Sequence, residues 1–207
     1  MVIRGTTRVS CPACGASAEV ELVQSINTRT HPADKLRLLA GELNVLTCDA
    51  CDKRTQLASD VLFHDPDADY YCHVVPGGEA AMRQAEAVFS SIGSTGTQRL
   101  VPSLNALVEK FKILDAGLSD WAIEMTKVLL LASISELDRV LLFAAVDRDK
   151  RVLRWVLFDE DGRAPEPVSS PLDPYDKLAA RAEDVSERRV DRAWALEAIK
   201  AMIANTN

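Results

Sequence analysis

Four cysteines are spaced so that their chemistry can be pooled. Cys11-Pro12-Ala13-Cys14-Gly15 holds one Cys-x-x-Cys pair, and Cys48-Asp49-Ala50-Cys51 holds a second after 33 intervening residues. One such pair can place two sulfurs on an edge of a tetrahedron, and a second pair completes it. Zn²⁺ has no d-electron preference for another geometry and accepts soft thiolates, so it is the ion this set selects. Four sulfurs close the shell, whereas a catalytic zinc keeps a position open for water. The expectation is one structural zinc per chain, held by Cys11, Cys14, Cys48 and Cys51. Gly15 follows the first pair, where a metal knuckle turns back and favours positive φ. Asp52 holds the matching place after the second pair and reaches that geometry less easily.

Other chemistries fit these residues less well. Cys-Pro-x-Cys is also a glutaredoxin-like redox motif, which needs its first Cys at a helix N-terminus after a strand. Here Glu19-Val20-Glu21-Leu22-Val23 alternates like a strand instead. Two disulfides would suit an oxidising compartment. Asp65-x-Asp67-x-Asp69 starts like a calcium loop, but the sixth and twelfth places hold Tyr70 and Pro76 rather than Gly and Glu. His64-Asp65, with His31 as a further candidate, gives a second alternative: a metal-dependent hydrolase. A polar turn is the simpler reading of 64–69. Gly93 and Gly96 lie in a segment, 90–98, read as a loop; without a following Lys-Ser or Lys-Thr it is no phosphate cradle. No Ser/His/Asp or Cys/His nucleophile set is legible, so the reading leans away from an enzyme.

Composition narrows the partners. The chain has 207 residues and a net charge of −7. In residues 1–60, seven Arg and Lys face seven Asp and Glu. A nucleic-acid footprint needs a clustered basic face, so a nucleic-acid-binding ribbon is an alternative and not the leading expectation. Lys53-Arg54 can offset the negative charge of a four-thiolate centre. The first residues carry no long apolar run, and none in the chain approaches a membrane span, so a reducing cytoplasm is expected. Cys72, in an apolar run, reads as a small buried residue.

The elements that must position the cysteines follow from periodicity. Residues 18–26 alternate as a strand, Pro32 opens a short helix closed by Gly41, and 45–47 lead into the second pair. Strands follow at 54–63 and 70–75, and a helix over 79–92. Leu104, Leu107, Val108, Phe111 and Leu114 form one helical stripe; Trp121, Met125, Val128, Leu129 and Ala132 form another. Such stripes are core or a dimer seam. Glu109, Lys110, Asp120, Glu124 and Lys127 read as solvated helix faces. Residues 140–146 and 152–158 make a hairpin, 165–168 an edge strand, and two helices close the chain, the last over 186–204.

These residues resemble a known family. Cys11-Pro12-Ala13-Cys14, Ser25-Ile26-Asn27, Gly41-Glu42-Leu43-Asn44, Cys48-Asp49-Ala50-Cys51, Leu62-Phe63-His64-Asp65 and Val75-Pro76 are similar to the bacterial CpXC family. The likeness continues through Leu100–Lys110 and Gly117–Asp120 and covers about residues 8–130. The resemblance implies zinc and a bacterial cytoplasm but supplies no reaction. The expected fold is α+β. A zinc-ribbon-like antiparallel sheet with an inserted short helix (1–78) precedes helices and a C-terminal β-hairpin sheet with terminal helices (79–207). The expected function is a zinc-binding, non-catalytic binding or scaffold protein that meets a protein partner or itself.

Overall fold

The computed structural model describes residues 3–91, 96–159, 163–181 and 185–204. It is a mixed α+β structure with eleven strands and six helices among those residues. The chain divides into two compact units, residues 1–108 and 109–207.

Unit 1 is built on two short hairpins and one sheet. β1 (Arg4–Ser10) and β2 (Ser17–Val23) pair antiparallel along their whole length, from Arg4↔Val23 to Ser10↔Ser17, and carry the first cysteine pair at their tip. β4 (Val45–Thr47) and β5 (Arg54–Gln56) form the second hairpin, and its tip carries the second pair. Between the hairpins lie β3 (Ser25–Asn27) and α1 (Pro32–Leu39). Pro32 sits in the first turn of α1, where a missing N–H costs nothing. The larger sheet follows: β6 (Val61–Asp65), β7 (Tyr70–Val74) and, after α2 (Gly78–Ser91), β8 (Thr97–Val101), in the order β3-β6-β7-β8. Its central pair is antiparallel and its two outer pairs are parallel.

Several boundaries differ from the periodicity reading. β1 is a strand although nothing in its sequence announces one. The strand expected over 18–26 breaks at Gln24 into β2, which pairs with β1, and β3, which pairs with β6; Gln24 N and Ser25 N both donate to Ile3 O at the switch. Buried Asn44 accepts from Val23 N at 2.8 Å, donates to Val23 O at 2.9 Å and donates to Ser59 Oγ at 2.8 Å. The strand expected over 54–63 is likewise β5 and β6, separated at 57–60. The loop expected over 90–98 contains the start of β8; residues 92–95 fall outside the described set. Gly96 is needed there because a Cβ would lie 2.2 Å from the carbonyl oxygen of Asp69. The division expected at residue 78 separates α2 and β8 from unit 1. The structure holds them in it, since β8 pairs with β7 and α2 packs on β8 through Val75, Met82, Ala85 and Leu100.

The division between units falls within α3 (Leu104–Asp115). Unit 2 continues with α4 (Asp120–Ser133), β9 (Val140–Asp147), β10 (Val152–Phe158), β11 (Glu166–Pro171), α5 (Asp173–Ala179) and α6 (Arg192–Ala204). The strands form an antiparallel sheet, β11-β10-β9. Its inner face, Leu141, Phe143, Leu153, Trp155 and Leu157, packs with Met125, Val128, Leu131, Tyr175, Leu178 and Ala195. Trp155 keeps its polar edge satisfied by donating Nε1–H to Ser170 Oγ at 2.9 Å. The last helix begins at Arg192 rather than 186 because Asp191 caps it: Trp194 N donates to Asp191 Oδ1 at 3.0 Å. Among the described residues no helix is long and apolar enough to cross a membrane.

Asn44 replaces a strand partner with one amide. Asn44→Ala leaves Val23 N–H and C=O buried without partners, so unfolding in urea should show a loss of about 2–4 kcal/mol.

Candidate metal centre

The two hairpin tips bring the four cysteines together. Their Sγ atoms all lie within 4.8 Å of one another. Cys11 and Cys51 are 3.8 Å apart and Cys14 and Cys48 are 3.6 Å apart, sulfur to sulfur. Zinc–thiolate bonds of about 2.3 Å in a tetrahedron require sulfur separations of about 3.8 Å. A disulfide requires about 2.05 Å. The observed spacing fits a metal shared by four sulfurs and excludes sulfur–sulfur bonds in this arrangement; all the cysteines are free.

The knuckles share one backbone design. Gly15 N donates to Cys11 O at 2.9 Å, and Asp52 N donates to Cys48 O at 2.8 Å. Cys11 N donates to Ala16 O at 2.8 Å, and Cys48 N donates to Lys53 O at 3.0 Å. Both turns need a left-handed residue, supplied by Gly15 at φ 75° and Asp52 at φ 54°. The first cysteine of each pair is buried and the second exposed. Cys11 and Cys48 pack with Leu46, and Val9, Ala16, Ala18, Val20 and Leu57 surround them.

The thiols titrate unequally. The backbone N–H groups of Ala13 and Cys14 lower the Cys11 pKa to about 6. Cys14 gains a favourable backbone N–H from Ala16, but the thiols of Cys51 and Cys48 outweigh it and push its pKa up to about 12. Losing one proton therefore opposes losing the next. Four thiolates coexist here only if a cation neutralises them.

The residues of the hydrolase alternative do structural work. His64 stacks on Tyr71 with ring centroids 4.1 Å apart, and its Nδ1 accepts from Asn27 Nδ2 at 3.3 Å. Asp65 Oδ1 accepts from Asp67 N at 3.1 Å, which shapes the 65–69 turn. Arg29 pairs with Asp67 at 2.5 Å. His31 bonds its neighbour Thr30 at 2.8 Å. Among the described residues His31, His64 and Asp65 do not fall in a group that could hold a metal ion; the four cysteines do.

Residues 9–127 match the family described as CpXC protein, more than half of the 207-residue chain. The chain belongs to the CpXC family. No curated protein and no solved structure matches it. The matched span takes in both cysteine pairs and ends within α4.

That span also holds a second cluster, misread from sequence, in unit 2 of the CpXC protein. Glu109, Lys110, Glu124 and Lys127 are buried rather than solvated, at 4–9% exposure, and Asp120 is nearly so. Lys127 Nζ donates to both Glu109 oxygens at 3.2 Å and to Glu124 at 3.1 Å. Lys110 Nζ pairs with Asp120 at 3.0 Å and donates to Val190 O at 3.0 Å. Glu109 Oε1 also accepts from Phe143 N at 2.6 Å, capping an N–H of β9. Periodicity missed the cluster because α4 is buried over every residue from Trp121 to Val128, so its charges had no outer face to occupy. The local signal was partial: Lys127 sits three places from Glu124, whereas Lys110 meets Asp120 and Glu124 across the helix pair. Burial pushes the Glu109 carboxyl up, opposed mainly by Lys127.

Two outcomes follow. Asp52→Gly should remove left-handed strain and raise stability of the metal-loaded protein by about 0.5–1 kcal/mol, whereas Gly15→Ala, which meets no steric clash, should lower it by about 1–2 kcal/mol; thermal melting reads both. Lys127→Met should cost about 3–5 kcal/mol at neutral pH by stranding Glu109 and Glu124. With its folded-state pKa raised further, Glu109 is stable below its unfolded value near 4 and destabilising as pH rises through the folded one. The deficit measured in urea should therefore be larger at pH 8 than at pH 5.

Proposed function

We propose that this CpXC protein is a zinc-stabilised, non-catalytic binding or scaffold protein. Cys11, Cys14, Cys48 and Cys51 hold one Zn²⁺ as thiolates. The carrying observation is the sulfur spacing of 3.6 and 3.8 Å between residues of two separate hairpins. Those are the edges of a four-sulfur tetrahedron, which leaves no corner for water or substrate. The ion supplies cohesion rather than Lewis-acid chemistry. The chain's own residues do the rest: N–H groups of Ala13, Cys14 and Ala16 point at the sulfurs and favour the thiolate form. Lys53 and Arg54, exposed beside the second knuckle, offset the excess negative charge.

Thiolates and metal persist together in a reducing compartment, which supports a cytoplasmic location. The even balance of charge in residues 1–60 favours a protein partner, or a second copy, over nucleic acid.

Metal analysis of the purified protein should give one zinc per chain. Chelation or Cys48→Ser should unfold the cysteine-bearing hairpins, with a lower melting temperature and lost strand signal in circular dichroism. Acidification should release the ion as protons displace it from sulfur. Unchanged melting after complete zinc removal would contradict the proposal.

A further inference from the structure

Helices α4, α5 and α6 contribute to a core on one face of the unit 2 sheet. Side chains alternate across a strand, so the residues between Leu141, Phe143, Leu153, Trp155 and Leu157 belong to the other face. Besides Arg154 they include Val140, which is exposed, and Leu142, Val152, Val156 and Phe158, which are half-buried; the register adds Pro167: Val140 pairs with Phe158, and Leu142, Val156 and Pro167 form one row across three strands. An antiparallel sheet with one wet face normally reads apolar inside and polar outside. This sheet reads apolar on both. The charges on its outer face, Arg154 and Asp147, neutralise each other at 2.7 Å. Val140, at the start of β9, is one of the eight large apolar side chains left exposed among the described residues.

We propose that this face is a homodimer interface on which the same face of a second copy stacks. The inference rests on the binding-protein reading and names its partner. Three arguments favour a second copy. Sheets pack face to face only when their twists match, and an identical sheet has the same twist and length. A chain of net charge −7 repels its copy over most of its surface, but not where the charges are internally paired. The area suits a weak dimer. Three strands of about seven residues present a face of roughly 14 by 23 Å, which buries on the order of 700–1,000 Å² over both copies. Edge-to-edge pairing through β9 is disfavoured, because Glu109 already occupies Phe143 N–H.

The test is sedimentation equilibrium of the full chain from roughly 1 to 200 µM, a range suited to a small interface. The wild type should move from the mass of one chain toward two. Val156→Glu, at the centre of the face, should hold the protein monomeric. Val140→Lys lies at a position already 37% exposed, where a charge is tolerated in the monomer, and should weaken association at least about tenfold. If Val156→Glu misfolds, Val140→Lys decides. A wild type monomeric throughout, or a dimer indifferent to the folded variants, overturns the inference. Zinc measured on the same samples separates the readings: a one-zinc monomer sinks the dimer alone, and a zinc-free dimer sinks the metal reading alone.

Discussion

Unit 1 gathers four cysteine sulfurs within 4.8 Å of one another, and as thiolates they would repel. The two hairpins that carry them have only two strands each, and such hairpins are marginal in water on their own. The apolar cluster beneath the sulfurs is small: Cys11, Leu46 and Cys48 are its buried members. On the proposed reading, a shared cation would convert the repulsion into the main cohesive interaction of this region. It would join residues 11–14 to residues 48–51 and so close a long loop of chain. The backbone prepares the ligands in advance. Matched turns, left-handed at Gly15 and Asp52, aim the sulfurs inward and keep one sulfur of each pair dry.

Unit 2 meets the same problem with different chemistry. Glu109, Asp120 and Glu124 are brought together at low exposure, and Lys110 and Lys127 neutralise them from within the chain. No ion is needed, because a lysine stem can carry its charge into a core that carboxylates share. Such networks seldom add net stability over an apolar core. Their partners here indicate what this one contributes. Glu109 caps the outer edge of β9 at Phe143, and Lys110 holds the carbonyl of Val190 just before α6. The network specifies where a strand edge and a helix start must lie.

Much of the fold was legible because it follows local rules. The helices at 32–39, 104–115 and 120–133 follow their apolar stripes, with Pro32 at a helix start and Gly117 past a helix end. The hairpin of β9 and β10 follows two β-branched runs around a polar turn. The breaks were not legible where a distant group takes over a strand's hydrogen bonds. β2 gives way to β3 where the partner changes from β1 to β6, Asn44 bonds the free edge of Val23 across 21 residues, and β8 is a strand because β7 is available to pair with it. The apolar stripes of α3 and α4 were open to two uses, core or seam. Leu107, Phe111, Met125 and Leu131 are fully buried, whereas Leu129 stays exposed.

By itself the amino-acid sequence determined which atoms could bind a metal. Residue type and the Cys-x-x-Cys interval are local properties, and Gly15 and Asp52 mark the turns that go with them. It also determined the α+β class, because periodicity is local too. Tertiary structure decided that the two pairs meet, at 3.6 and 3.8 Å, because no local rule sets a distance across 33 residues. It decided as well that five charged side chains lie inside and that half-buried apolar side chains line the second face of the unit 2 sheet. Burial depends on which elements pack together, and a residue's own chemistry cannot specify that.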